Sequence, residues 1–401
     1  MQCKEIIMPE RNLNFDEVVN RKNTKCLKYD FAVRRGLPED VLPLWVADMD
    51  FRTSSYIEDA ITEVARHNIY GYTNIQRGDG FFEAVSGWMK RHHDFDVEPE
   101  WHVITPGVCF AISAAVRAAS EQGEAVIIQQ PVYYPFYNII LQNGRKPVSS
   151  DLVHNEDGSY DIDFDDFERK IIENNVKLFI LCNPHNPVGR IWTREELLKL
   201  GNICKAHNVA VFSDEIHFDF IWNGVHSVFQ ELDPSFREFT ITATAPSKTF
   251  NIAGLQQSNI FIPDRTLRRK FREQVGIAGF DEPNIIGIAA AQAAYEHGDE
   301  WYGAMLDYVQ KNIEFAYKYV NEELPGVKMR KPDATYLIWL DFKGTGLDTD
   351  GIEDLIINKA RLWLDSGKIF GKTGEGFQRI NAACPRSTLE EALNRIKKAL
   401  Q

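Results

Sequence analysis

Four short apolar runs, at 125–128, 178–181, 209–212 and 239–243, constrain the fold of this chain more than any other feature. The first three are apolar at every position and the fourth is rich in β-branched residues, the pattern of strands buried on both faces of a parallel sheet. Helix-length segments separate them. The segment between the second and third opens on Thr193-Arg194-Glu195-Glu196, a capping-box arrangement that predicts a helix running to about Ala206. Strands alternating with helices imply an α/β fold with a mostly parallel central sheet flanked by helices.

A chain of 401 residues, 44% of them hydrophobic, has ample material for a large core and is long enough for two domains. Past residue 285 the texture changes. Helical patterns at 288–296 and from 301 to about 323, a strand at 336–340, and helices near 352–366 and 389–400 read as a smaller α+β domain. The expected division is an N-terminal segment at 1–45 packing with the small domain, a large domain at 46–285 and the small domain at 286–401. A net charge of −13 argues against nucleic acid and anionic membranes as partners. The six cysteines are scattered without paired spacing, so neither a structural metal nor a disulfide framework is expected. No apolar stretch reaches 18 residues and residues 1–14 carry no signal-peptide core, so the expected location is the cytoplasm.

Chemistry collects where the runs end. After the first comes Gln129-Gln130-Pro131-Val132-Tyr133-Tyr134; after the second, Asn183-Pro184-His185-Asn186-Pro187; after the third, Ser213-Asp214-Glu215-Ile216-His217; after the fourth, Pro246-Ser247-Lys248-Thr249. In open α/β sheets ligands bind beyond the carboxyl ends of strands, so an aromatic, an amide, a carboxylate and an amine converge on one site. Burial there lowers the pKa of Lys248 and makes it a candidate nucleophile.

With these motifs in this order, nearly the whole chain resembles the fold-type I pyridoxal-phosphate (PLP) enzymes of the class I/II aminotransferase superfamily. Leu44-Trp45-Val46-Ala47-Asp48-Met49-Asp50-Phe51, Asn183 to Arg190, Ser213 to His217 and Asn381-Ala382-Ala383-Cys384-Pro385-Arg386 resemble the MalY/PatB-type cystathionine β-lyases, or C–S lyases. The resemblance implies that Lys248 links covalently to the cofactor and moves the substrate Cα proton, that Asp214 pairs with the pyridine nitrogen, and that Asn186 bonds the ring hydroxyl oxygen. It places Tyr133, or its neighbour Tyr134, against the ring, with His217 also beside the cofactor. Gly107, Val108 and Cys109 would cradle the phosphate at a helix N-terminus, with Ser247 and Thr244 as further donors. Arg386 would bind the substrate carboxylate, with Asn186, Tyr133, Val46 and Ala47 bordering the substrate. Tyr72 resembles a tyrosine reaching the phosphate from a neighbouring subunit, which implies a homodimer with shared sites; burial in its own core is the competing account.

His217, Gln256 and Ala245 depart from the Tyr, Arg and Ser that many aspartate-type aminotransferases carry there. These departures fit the lyase branch. The implied reaction is β-elimination from L-cystathionine or a related sulfur amino acid, giving a thiol, pyruvate and ammonia, with transamination as the alternative. A ligand-sensing regulator would need a DNA-binding domain, for which the roughly 40 residues before Trp45 leave little room. Gly367-Lys368-Ile369-Phe370-Gly371-Lys372-Thr373 imitates a phosphate loop, but the required glycine is Ser366 and the preceding segment reads as a helix.

Overall fold

The computed structural model describes residues 9–75 and 78–401; the expectation for residues 1–14 falls partly outside them, as does Cys3. Seven strands build the central sheet: β1 (His102–Thr105), β2 (Ala125–Ile128), β3 (Lys146–Ser149), β4 (Leu178–Cys182), β5 (Ala210–Asp214), β6 (Thr240–Thr244) and β7 (Ser258–Phe261). Their spatial order is β1-β7-β6-β5-β4-β2-β3. Neighbours from β3 through to β6 are parallel, and β7 runs antiparallel to both β6 and β1. The four strands expected from the apolar runs therefore lie side by side in the middle of the sheet.

The main helices are α1 (Ser55–His67), α2 (Phe81–His93), α3 (Val108–Ala119), α4 (Phe164–Asn174), α5 (Arg194–Ala206), α6 (Arg265–Ile277), α7 (Ile285–His297), α8 (Asp299–Glu323) and α9 (Arg386–Leu400), of which α3 to α6 cover the faces of this sheet. Alternate residues of each strand serve opposite faces. Val126, Ile128, Leu178, Ile180 and Phe212 pack with α3 and α6, whereas Ile127, Phe179, Leu181 and Val211 pack with α4 and α5. Both faces are covered, which is why these runs show no polar alternation. Thr193 caps α5, its hydroxyl accepting from the Glu196 N–H while the Glu196 carboxylate accepts from the Thr193 N–H.

Beyond α7, which packs along α1 and α2, the 25-residue α8 leads to a second sheet. It holds β8 (Lys328–Met329), β9 (Leu337–Asp341), β10 (Asp365–Ser366) and β11 (Phe377–Asn381), antiparallel in the order β8-β9-β11-β10. The helix expected near 352–366 is only half right. Helical turns end at Lys359, after which Arg361 takes a left-handed φ of +54° and Leu362–Trp363 pairs in parallel with Leu42–Pro43. Pairing with distant chain segments overrides the local pattern here. The glycine-rich imitation of a phosphate loop is thus preceded by a strand, not by the expected helix. Its glycines serve packing: a Cβ on Gly367 would lie 1.9 Å from the Gly374 carbonyl oxygen.

The N-terminal segment crosses to the small sheet. Trp45 stacks on Trp363 at 4.4 Å, and Phe15 packs against Phe51, Trp301 and Tyr308. Among the described residues, no helix is long and apolar enough to cross a membrane, and no group of His, Cys, Asp and Glu is placed to hold a metal ion.

Candidate active site

The parallel strands finish at one edge, with Cys182 of β4 in register with Asp214 of β5, and Asp214 with Ala243 of β6. The loops leaving that edge enclose a cavity of about 190 Å³. Tyr133, Asn186, Asp214, His217, Ser247 and Lys248 line it, together with Gly107, Val108, Cys109 and Ala47. Each sits at or just beyond the end of a strand of the central sheet, at the start of α3, or on the strap of residues that precedes α1.

Lys248 lies in a single helical turn, Pro246–Thr249, just past β6, and its Nζ donates to the Ala47 carbonyl at 2.6 Å. Burial lowers its pKa below the usual lysine value; Asp48, Cys109 and Asp214 pull it back up, and Arg379 opposes them. Asp214 ends β5. Desolvation pushes its carboxyl up to about 7, against the Ile216 N–H at 3.2 Å and the Lys248 charge. A cation placed against this carboxyl would return it to the ionised form. Burial holds His217 neutral, with its pKa far below the usual histidine value, and its Nδ1 has no partner.

Tyr133 reaches the cavity while Tyr134 packs toward Phe370, its ring centroid 6.0 Å away. The Tyr133 N–H donates to the Asn186 carbonyl at 3.0 Å, fastening the loop after β2 to the loop after β4. The Asn186 side chain accepts from Arg379 Nη1 at 2.9 Å. Arg379 was not singled out from the sequence. It belongs to β11, is 2% exposed, donates from Nη2 to the Trp45 carbonyl at 2.9 Å and pairs with Asp365. Its Nε is buried without a partner, so the guanidinium keeps a donor for a ligand. The available signal was an arginine inside the otherwise buried run Phe377 to Asn381, where a charge requires a specific reason.

Arg386 is elsewhere. It opens α9, its Nε donates to Asn312 Oδ1 at 2.8 Å, and its guanidinium lies over the Phe315 ring at 4.5 Å. The carboxylate role expected for Arg386 does not fit this placement, because the helix start points its side chain at α8 and away from the strand ends. Val46 is not among the residues lining the cavity; its carbonyl accepts from Asn381 Nδ2 at 2.7 Å.

Gly107 precedes α3 with φ at +146° and no side-chain cap, so the first N–H groups of the helix have no partner within it. A Cβ built on Gly107 would meet open space. Thr244 Oγ1 is buried without a partner at the end of β6. Tyr72 stands outside the cavity of its own chain and is 96% exposed, bordering a surface hollow with Pro106, Gln256 and Phe280.

The family model described as aminotransferase class I and II matches residues 39–396. Cystathionine beta-lyase PatB of Bacillus subtilis is 45% identical over 389 residues, spanning 97% of this chain and 100% of that protein. The structure of cystalysin from Treponema denticola, which contains a pyridoxal 5′-phosphate cofactor, superposes with a TM-score of 0.92 at 36% identity, covering 96% of this chain and 98% of that one. The PLP-bound C–S lyase of Staphylococcus hominis gives a TM-score of 0.90 at 35% identity, covering 97% and 98%. The chain belongs to the aminotransferase class I and II family and has the fold-type I architecture.

Proposed function

We propose that the protein is a PLP-dependent C–S lyase that converts L-cystathionine or a related sulfur amino acid, with water, to a thiol (homocysteine), pyruvate and ammonia. The observation that carries this reading is one cavity lined by Lys248, Asp214 and Asn186, with Arg379 behind it donating to the Asn186 side chain. Its 45% identity to a cystathionine beta-lyase over nearly the full length supports the lyase branch.

The residues present fit the cofactor. The uncapped start of α3 at Gly107 and the unpartnered Thr244 hydroxyl suit a phosphate, with Ser247 beside them. Asp214 suits a protonated ring nitrogen, since its raised pKa marks a buried carboxyl in want of a cation. Tyr133 would stack on the ring, and Lys248 Nζ is the amine that would hold the cofactor. When bound, PLP supplies an electron sink that acidifies the substrate Cα–H.

The remaining work falls to the chain. Arg379 binds the α-carboxylate through charge-assisted hydrogen bonds, and Asn186 fixes the orientation of its guanidinium. Lys248 Nζ would take the Cα proton, and burial, which lowers its pKa below the usual lysine value, favours the neutral amine that such a base needs. The neutral His217 and Tyr133 border the cavity without adding a competing charge. Departure of the Cβ thiolate completes the elimination, and a thiolate leaves readily. Replacing Lys248 by Ala is expected to remove the visible absorbance of the lysine-linked cofactor and to cut turnover by about 10³-fold or more. Retained turnover with normal absorbance would overturn the assignment.

The same reading takes the enzyme as a homodimer in which Tyr72 reaches the phosphate region of the partner. The exposed Ile69, Tyr70 and Tyr72 beside Pro106 and Gln256 support it, as a cluster of large apolar groups in want of cover. A cytoplasmic location fits the free thiols of Cys26, Cys109, Cys182, Cys204 and Cys384.

A further inference from the structure

The strap at 45–53 carries Ala47 into the cavity and is fastened along its length. Asn381 Nδ2 donates to the Val46 and Asp48 carbonyls at 2.7 and 2.6 Å, and the Tyr336 hydroxyl donates to Ala47 at 2.9 Å. Asn251 accepts from the Met49 N–H at 2.9 Å and donates to the Met49 and Phe51 carbonyls at 3.0 and 2.9 Å. These bonds already hold the backbone.

In addition, the two acids of the strap meet two cations of the N-terminal segment. Arg21 reaches Asp48 at 2.5 Å and Asp50 at 2.7 Å; Lys28, fully buried, reaches Asp50 at 2.7 Å and Asp48 at 3.5 Å. An apolar plug would anchor the segment as well, because ion pairs taken out of water are no better for stability than hydrophobic packing. Two buried charges, Lys28 and Asp50, paired with the half-buried Arg21 and Asp48, call for an electrostatic reason, and Lys248 Nζ touches the carbonyl preceding Asp48.

We propose that the Arg21–Asp48–Lys28–Asp50 quartet is a positioning device for Lys248 that sets the net charge faced by the amine on the Ala47 carbonyl. The inference rests on Lys248 as the cofactor-linked base. The charged and titratable groups that face Lys248 are Asp48, Asp214, Cys109, Arg379 and the neutral His217, with Tyr336 on the shared carbonyl. Among them, Asp48 has its charge balanced by Arg21 and Lys28 from the N-terminal segment. The carboxylate of Asp48 favours the cationic form of the amine, and its two partners temper that attraction.

Opposite signs follow from the two ends of one ion pair. In the holoenzyme, Asp48→Asn is expected to move the midpoint of the cofactor's pH-dependent absorbance, and the acid limb of kcat, to lower pH. Arg21→Gln is expected to move both to higher pH, because half of the charge that balances Asp48 is gone. Arg21→Lys, which retains the charge, should return the parent midpoint. A purely structural tie would lower kcat or cofactor content in each variant without shifts of opposite sign. Shifts in one direction, or none, overturn the proposal. If Asp48→Asn fails to fold, the contrast of Arg21→Gln with Arg21→Lys decides it alone. A parent enzyme without lysine-linked absorbance would instead remove the Lys248 reading beneath it, a result distinct from an absorbance that is present and unmoved.

Discussion

Arg379 and Arg386 carry the same side chain in opposite situations. Arg379 is enclosed by Asn186, Trp45 and Asp365 with a donor left over, whereas Arg386 spends its Nε on Asn312 and its face on Phe315. Loss of two charge-assisted hydrogen bonds to a carboxylate is worth about 3 kcal/mol or more, roughly 100-fold in binding. Arg379→Gln is therefore expected to raise KM for L-cystathionine about 100-fold. Arg386→Gln should stay within about threefold of the parent, since its contacts are with α8. Steady-state kinetics of the two variants side by side would show it, and the reverse ranking would restore Arg386 to the site. Lys248, Asp214 and Asn186 could be read from the sequence because each follows a buried parallel strand, and strand ends in such sheets converge. Arg379 could not be read that way. Its strand belongs to the second sheet, and only the tertiary packing of that sheet against the strap and the loop after β4 brings the guanidinium to Asn186.

Local chemistry was sufficient for α5 and insufficient for the segment after Ile352. The capping box at Thr193 is complete within four residues, so nothing distant can alter it. Thr193→Ala should lower stability by about 1 kcal/mol in urea denaturation with kcat unchanged, because α5 lies on a face of the sheet away from the strand ends. By contrast, Leu362–Trp363 and Asp365–Ser366 are strands because Leu42–Pro43 and Gln378–Arg379 pair with them, partners that no short window contains. Gly189 shows the same dependence at the site. Its φ is +70°, and a Cβ there would lie 2.5 Å from Pro332 Cβ, so the loop bearing Asn186 is pressed onto the small-domain side by a residue with no side chain. Gly189→Ala is expected to destabilise the protein by about 1–3 kcal/mol and to lower kcat/KM, since the same shift displaces Asn186. Unchanged stability and activity would show that the loop yields freely.

Across the whole molecule, the cavity is lined by residues of the large domain and the strap, while the exposed Tyr72 stands outside it. If Tyr72 serves the partner's site in a two-fold dimer, the defects of Tyr72→Ala and Lys248→Ala lie in different sites of a mixed dimer. One site then has both residues intact. Equal mixing with subunit exchange should recover about a quarter of parent activity from two inactive preparations; no recovery would place Tyr72 outside the shared site. The net charge of −13 and the mostly parallel central sheet were open to sequence reasoning, because both follow from composition and periodicity, whereas only one strand of the second sheet, at 336–340, was. The cross-subunit role of Tyr72 came only from resemblance, because contacts with a second molecule leave no periodicity in the first.

The reaction outcome is decided by what leaves the enzyme. Purified holoenzyme incubated with L-cystathionine and no keto acid should release pyruvate and homocysteine in equal amounts, turnover after turnover. No pyruvate or homocysteine, with the amino group of cystathionine instead moved to an added keto acid and the carbon–sulfur bond left intact, would contradict the lyase assignment.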